Sequence, residues 1–275
     1  MATVSIADIK ALREQLGTGM TDTKNALVEA DGDLEKATEI LRLKGAKGNA
    51  KRADRSTSEG LIAVASGESG ETIIELACET DFVAKNDKFV TLADSVVAAV
   101  SAAGAGTVDA ALAAPLDGST VGQAIGDQAA ILGEKIELRR VQLVTGENFA
   151  VYLHKTSKDL PPQIGVVVAY TGSDADTARS IAQHISFGAP QYLTRDDVPA
   201  SDVEKERDIV TEISRNEGKP DAALPKIVEG RLTAYFKQVA LLEQDYARDN
   251  KQSVKKVLAD AGLTVTDFAR FKVGA

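Results

Sequence analysis

Residues 60–87 read GLIAVASGESGETIIELACETDFVAKND. Two apolar runs, 61–65 and 72–78, flank the turn SGESG, which is the pattern of a β-hairpin. Past Cys78 the period changes: Phe89, Leu92, Val96 and Val100 share one helix face. A hairpin running into an amphipathic helix opens an α+β unit. Residues 102–120, rich in Ala, Gly and Pro, read as loop with some helix. Ile125, Ala129 and Leu132 mark a further helix, and KIELRRVQLV (135–144) a closing strand. Strands at 149–154 and 164–170 and a helix at 174–187 then repeat the opening order, which points to a weak structural duplication.

On the amino-terminal side the pattern is wholly helical. Ser5 and Asp8 form a capping-box-like start, Ile6, Ile9, Leu12 and Leu16 recur at helical spacing, and Gly17 ends the run. The loop GTGM (17–20) leads to TDTKNALVEA, and Asp33 caps a third helix with Leu34, Ala37, Ile40 and Leu41 on one face up to Gly45. A bundle this small is marginal alone and suits a docking module. The basic stretch 42–58 reads as a linker with a helical portion, a nucleic-acid contact being the sharper alternative. Residues 199–238 carry charge on most turns around a thin seam of Val203, Ile209, Val210 and Ile213, and EGKP splits them into two arms of a protruding helical hairpin. A strand is expected within 239–247, a helix at 253–262 and a last strand at 265–273. The expected organisation is α+β with mainly antiparallel strands. It comprises a three-helix module and linker at 1–55, core subdomains at 56–140 and at 141–198 with 239–275, and the hairpin at 199–238.

Composition narrows the functional classes. Thirty-two Lys and Arg against 41 Asp and Glu leave a net charge of −9, which disfavours a broad nucleic-acid surface. No apolar run is long enough to span a bilayer, and MATVSIADIK is not a secretory leader. One cysteine, Cys78, excludes an intramolecular disulfide framework and points to a reducing, cytoplasmic compartment. With only two histidines no zinc cage is expected, and neither a Walker loop nor GxGxxG is present, so no metal site and no cofactor are expected.

Catalytic readings are thin. Cys78 with His154 or His184 would make a thiolate–imidazolium pair, but Cys78 sits in an apolar strand, where free cysteine is a small buried hydrophobe. His184, between Ile181 and Ile185, reads as a packed core-edge histidine. No carboxylates pair as acid and base. Composition and spacing therefore lead to a protein-binding α+β chain with a helical appendage. In CETDFVAKND (78–87) the plain account has Thr80 or Asp81 capping a helix with Phe82 packed inward.

TDFVAKN (80–86) closely resembles the signature of the bacterial elongation factor Ts family, the nucleotide exchange factors of elongation factor Tu. LREQLGTGMTDTKNALVEADGDLEKA (12–37), GEKIELRRV (133–141), QIGVVVAY (163–170), GKP with IVEGR (218–231) and FARFKVG (268–274) are similar to other blocks of that family, in the same order. The resemblance implies a ubiquitin-associated-like three-helix bundle, a two-part antiparallel-sheet core and a helical hairpin that relatives use to dimerise. It also implies a factor without an active site that binds elongation factor Tu·GDP, and the nucleotide-free form, and promotes GDP release. Partner contacts carried over by motif are Thr80, Asp81, Phe82 and Val83, with the Asp-Phe pair wedged near the partner's magnesium. Arg13, Met20, Leu132, Gly133 and His154 carry further contacts. Thr21 stands where some relatives have a second Met, and KTSKDLPP (155–162) is longer than the turn in some relatives, which bears on the placement of His154. Longer relatives add a carboxy-terminal module beyond the final strand, so binding here is expected to rest on the other surfaces. The competing class is a protein-binding adaptor or chaperone that uses the helical module alone.

Overall fold

The computed structural model describes residues 4–275; the leader reading of MATVSIADIK falls partly outside them. The chain divides into two compact units. One holds residues up to Leu143 with Lys155–Ile164 and Phe271–Ala275; the other holds Val144–His154 and Gly165–Arg270.

In the first unit, short polar side chains start the helices by taking up otherwise unpaired backbone N–H groups. Ser5 Oγ accepts from Asp8 N at 3.0 Å at the head of α1 (Ile6–Leu16), and Gly17 closes it in the left-handed region. α2 (Met20–Glu29) follows, and Asp33 caps α3 (Leu34–Ala50) by accepting from the N–H groups of Glu35 and Lys36. Ile9, Leu12, Ala26, Leu27, Ala37 and Leu41 form the small core of these three helices.

β1 (Glu59–Gly67) and β2 (Gly70–Cys78) form an antiparallel hairpin in which Leu61 faces Leu76 and Ala63 faces Ile74. Every residue of β2 is buried. Gly60 is required in β1: at φ +146° an added Cβ would lie 2.2 Å from the Leu76 carbonyl oxygen. A single turn, α4 (Asp81–Ala84), leads into α5 (Asp87–Ala102), whose Phe89, Val96 and Val100 are fully buried against the hairpin. The Ala- and Gly-rich stretch forms α6 (Val108–Ala113) and a two-residue hairpin of β3 (Pro115–Leu116) and β4 (Ser119–Thr120). α7 (Val121–Leu132) and β5 (Ile136–Val144) follow, giving the sheet order β1-β2-β5.

The third helix does not stop at Gly45, and residues 42–50 are not linker: α3 runs to Ala50 along α7. Gly45 is a packing residue, since a Cβ there would meet Ala130 Cβ at 2.9 Å, and Asn49 Nδ2 donates to Gly126 O at 2.7 Å. In β2, fully buried Glu75 takes Arg139 Nη1 at 3.2 Å, Arg140 Nε at 2.6 Å and the backbone N–H of Gly274 at 3.1 Å. A buried carboxylate is tolerated because its charge and lone pairs are met.

In the second unit β6 (Asn148–His154) and β7 (Ile164–Thr171) precede α8 (Ala175–Gly188), capped by Asp174. α9 (Ala200–Asn216) and α10 (Leu224–Val239) pack as a hairpin. α9 buries only Val210 and Ser214, whereas α10 buries Leu224, Val228, Leu232, Phe236 and Val239. The strand expected within 239–247 is instead one 3-10 turn (Leu241–Glu243) and a two-residue β8 (Asp245–Tyr246) paired with β9 (Asp249–Ser253). The turn arises because Leu241 is buried and its N–H donates to Tyr192 O, while the Gln244 amide donates to Gly188 O and Gln238 O. α11 (Val254–Asp260) and β10 (Thr264–Lys272) complete the chain, and the sheet order is β10-β7-β6. In both sheets the second strand is central and the last strand returns to it after a long helical insertion, so the duplication is one of topology.

Candidate partner-docking site

The site is built at the end of β2. Thr80 has extended backbone, and its hydroxyl accepts from Val83 N at 3.4 Å to start α4. Val83 and Ala84 turn into the first unit's core, so the preceding side chains face outward. Phe82 is 73% exposed and does not pack inward; Phe89, one helix later, takes the place of a core aromatic. Exposing a phenylalanine this far forgoes about 1 kcal/mol or more of burial, so the position is costly to the free protein. Asp81 lies beside it, with its carboxylate 3.2 Å from Lys85 Nζ, and that ammonium sits 4.6 Å over the Phe82 ring. The Asp81–Lys85 spacing of four residues is a helical pair readable in the sequence; the stacking of Lys85 on Phe82 is not.

A second turn stands against this one. α7 ends at Leu132, which is half-buried on the core, and exposed Gly133 takes φ +77°, a conformation costly for a side chain. The chain thereby reverses so that Glu134 meets residues 79 and 80. Its carboxylate accepts from Glu79 N at 3.1 Å, Thr80 N at 3.0 Å and Thr80 Oγ1 at 2.6 Å. In return Glu79 accepts from Lys135 N at 2.6 Å and pairs with Arg55 at 3.2 Å. Burial disfavours the Glu79 anion, but the Lys135 N–H and the Arg55 guanidinium outweigh it and hold its carboxyl below the usual glutamate range. Thr80, Asp81, Phe82 and Val83 are thus brought together with Leu132 and Gly133. Nothing local in the sequence marks Glu134 or Glu79 as part of the site, since their contact spans 55 residues.

Arg13 is exposed on α1, and Met20, the first residue of α2, is 53% exposed. Ile6, Val28, Leu34 and Leu43 of the same three helices are also exposed. His154 belongs to the second unit, where it ends β6 with Nδ1 3.1 Å from the Tyr152 hydroxyl.

Neither member of the alternative catalytic pair is set up for that chemistry. Cys78 is fully buried and donates to Thr80 O at 3.3 Å; burial, with Glu134 and Glu59 nearby, pushes its thiol up to about 12. His184 is buried, with Nε2 2.8 Å from Gln244 Oε1 and Nδ1 accepting from Ala247 N, which defines a neutral Nε2–H tautomer. Burial lowers its pKa, against the Gln244 hydrogen bond.

An exposed aromatic and acid stand together on a braced turn, features suited to a protein-docking surface. The family model described as Elongation factor TS matches residues 79–275. The chain is 73% identical over 276 residues to "Elongation factor Ts" of Leifsonia xyli subsp. xyli, and 72% identical over 275 residues to that of Clavibacter michiganensis subsp. michiganensis, covering all of both chains in each case. Against that of Mycolicibacterium vanbaalenii it is 54% identical over 274 residues, 100% of this chain and 99% of the relative. This chain belongs to the elongation factor Ts family.

Proposed function

We infer that this chain binds elongation factor Tu·GDP and promotes GDP release without catalysing a reaction, by disturbing the partner's magnesium and nucleotide site. Membership of the elongation factor Ts family carries the exchange function. The observation that carries the mechanism is Phe82, held outward beside Asp81 at the head of a one-turn helix whose next two residues are core. Inserted between helices of the partner, the ring would part them, and the Asp81 carboxylate would compete for groups that order the magnesium's water shell. Magnesium tolerates little departure from octahedral geometry, so a small displacement loosens the nucleotide. Thr80 and Val83 anchor the wedge, and Leu132 and Gly133 flank it.

Arg13 and Met20, among the exposed apolar side chains of the amino-terminal bundle, form a second contact, and His154 a third. Residues 1–55 act as the docking module, 56–140 and 141–198 with 239–275 as the two core subdomains, and 199–238 as the hairpin. Its exposed Ile209 and Ile213, four residues apart on α9, offer a homodimer surface. The compartment is the cytoplasm, and binding extends to the nucleotide-free partner. Among the described residues no helix is long and apolar enough to cross a membrane. The test is release of fluorescent GDP from purified elongation factor Tu. Stimulation by the wild-type chain and its reduction on Phe82→Ala are expected; an unstimulated rate with wild-type protein would refute the reading. Sedimentation of the chain with and without 201–230 tests the dimer.

A further inference from the structure

We propose that Glu134 is a positioning residue of the exchange site, holding the Asp81–Phe82 turn and the Leu132–Gly133 turn as one rigid edge; this rests on the wedge reading above. α4 is a single turn of four residues. A lone helical turn does not hold itself, because nucleation fixes several dihedral angles for one hydrogen bond. Its own cap is weak, with Thr80 Oγ1 3.4 Å from Val83 N. The short bond of that hydroxyl goes to Glu134, at 2.6 Å, and the same carboxylate takes both backbone N–H groups of residues 79 and 80. Three donors on one carboxylate fix the two residues immediately before the wedge. Hydrogen bonds to a charged acceptor are the stronger kind.

The brace is reciprocal, since Glu79 takes the N–H of Lys135 at 2.6 Å. Each turn therefore supplies a carboxylate to the other's backbone. Glu134 forms no ion pair among the described residues, whereas Glu79 is neutralised by Arg55. The charge of Glu134 is directed entirely at the turn that presents Phe82. The consequence is preorganisation: the free factor has already ordered the wedge, so that cost is not met on docking.

The experiment uses the full chain. Stimulated release of fluorescent GDP from elongation factor Tu is measured over a range of factor concentrations for Glu134→Ala, Glu134→Gln, Phe82→Ala and Glu134→Ala/Phe82→Ala. Thermal melts accompany each. Ordering one residue's backbone costs enough to slow the step by about tenfold. Glu134→Ala is expected to lower the maximal rate by about that factor, with the half-saturating concentration changing less, because the other contacts survive. Glu134→Gln, which keeps one oxygen acceptor and most of the volume, should lie between it and wild type, and it decides the matter if the alanine variant does not fold. Phe82→Ala should cost less in the Glu134→Ala background than alone. Glu134 variants that exchange normally while Phe82→Ala is slow would overturn the brace alone, as would fully multiplicative effects. A normal Phe82→Ala rate would overturn both the brace and the wedge.

Discussion

Phe82→Ala removes a side chain that the fold does not use. The ring is 73% exposed, and its neighbours Val83 and Ala84, which lie in the core, remain to anchor α4. Among the described residues the ring meets the Lys85 ammonium at 4.6 Å, which keeps its Asp81 pair when the ring is gone. The melting temperature should therefore shift little. In the proposed docking the exposed surface would be buried. Full burial of a phenylalanine is worth about 1.5–3 kcal/mol, so the free fraction of this one supplies about 1–2 kcal/mol. At about 1.4 kcal/mol per factor of ten, stimulated GDP release should slow by about 5–30-fold. The assay is stopped-flow release of fluorescent GDP from elongation factor Tu at saturating factor. Asp81→Ala should slow it less, since an exposed carboxylate contributes about 0–1 kcal/mol. A Phe82→Ala protein with wild-type rate would refute the wedge, and one that unfolds would return Phe82 to a packing role.

Replacing 201–230 by a short linker should leave a cooperative melt, because α9 buries only Val210 and Ser214 and the lower half of α10, with Leu232, Phe236 and Val239, is retained; loss of the transition would make the hairpin part of the core. Cys78→Ala should keep exchange activity, and the native thiol should resist alkylation at neutral pH, since burial holds it far above that range; rapid labelling of the folded chain would contradict this. His184 has a folded pKa below its usual 6.5, so the unfolded state binds the extra proton. Its contribution is present above that value and is lost as the pH falls through it. Melting temperatures should therefore fall as the pH drops below about 6.5, and His184→Gln should flatten that fall; equal slopes in both proteins would exclude the assignment.

Much of the fold is legible because its signals are local. Ser5, Asp33, Thr80, Asn86 and Asp174 each cap the helix that follows, and the hairpin turn lies where its glycines do. What escapes is decided at long range. Gly45 carries the mark of a helix stop, yet it is glycine because Ala130 approaches too closely for a side chain. The apolar run ALLE looks like a strand but is drawn into a turn by Tyr192 and by the Gln244 amide. The site divides the same way. An acid and an aromatic at a strand-to-helix turn are visible, and the outward direction of Phe82 follows only once Val83, Ala84 and Phe89 are seen to fill the core. Glu134 has no local signature, since its donors lie 54 and 55 residues away.

The energy of exchange explains why the contacts are distributed. Loosening GDP by about a thousandfold requires roughly 4 kcal/mol of preference for the open partner. In the proposed wedge Phe82 would supply about half of that at most, and the remainder would come from surfaces that also favour the open state. The exposed Ile6, Met20, Val28, Leu34 and Leu43 of the amino-terminal helices are of the right kind and are joined to the core by packing along α7, not by a loose tether. Linkage makes the arrangement reversible: whatever factor weakens GDP on the partner, GDP weakens this chain's grip by the same factor. A single very strong contact indifferent to the partner's state would tighten the complex without releasing nucleotide. On the proposed mechanism, a modest wedge, braced in advance and backed by separate docking surfaces, would open the partner and still let it go.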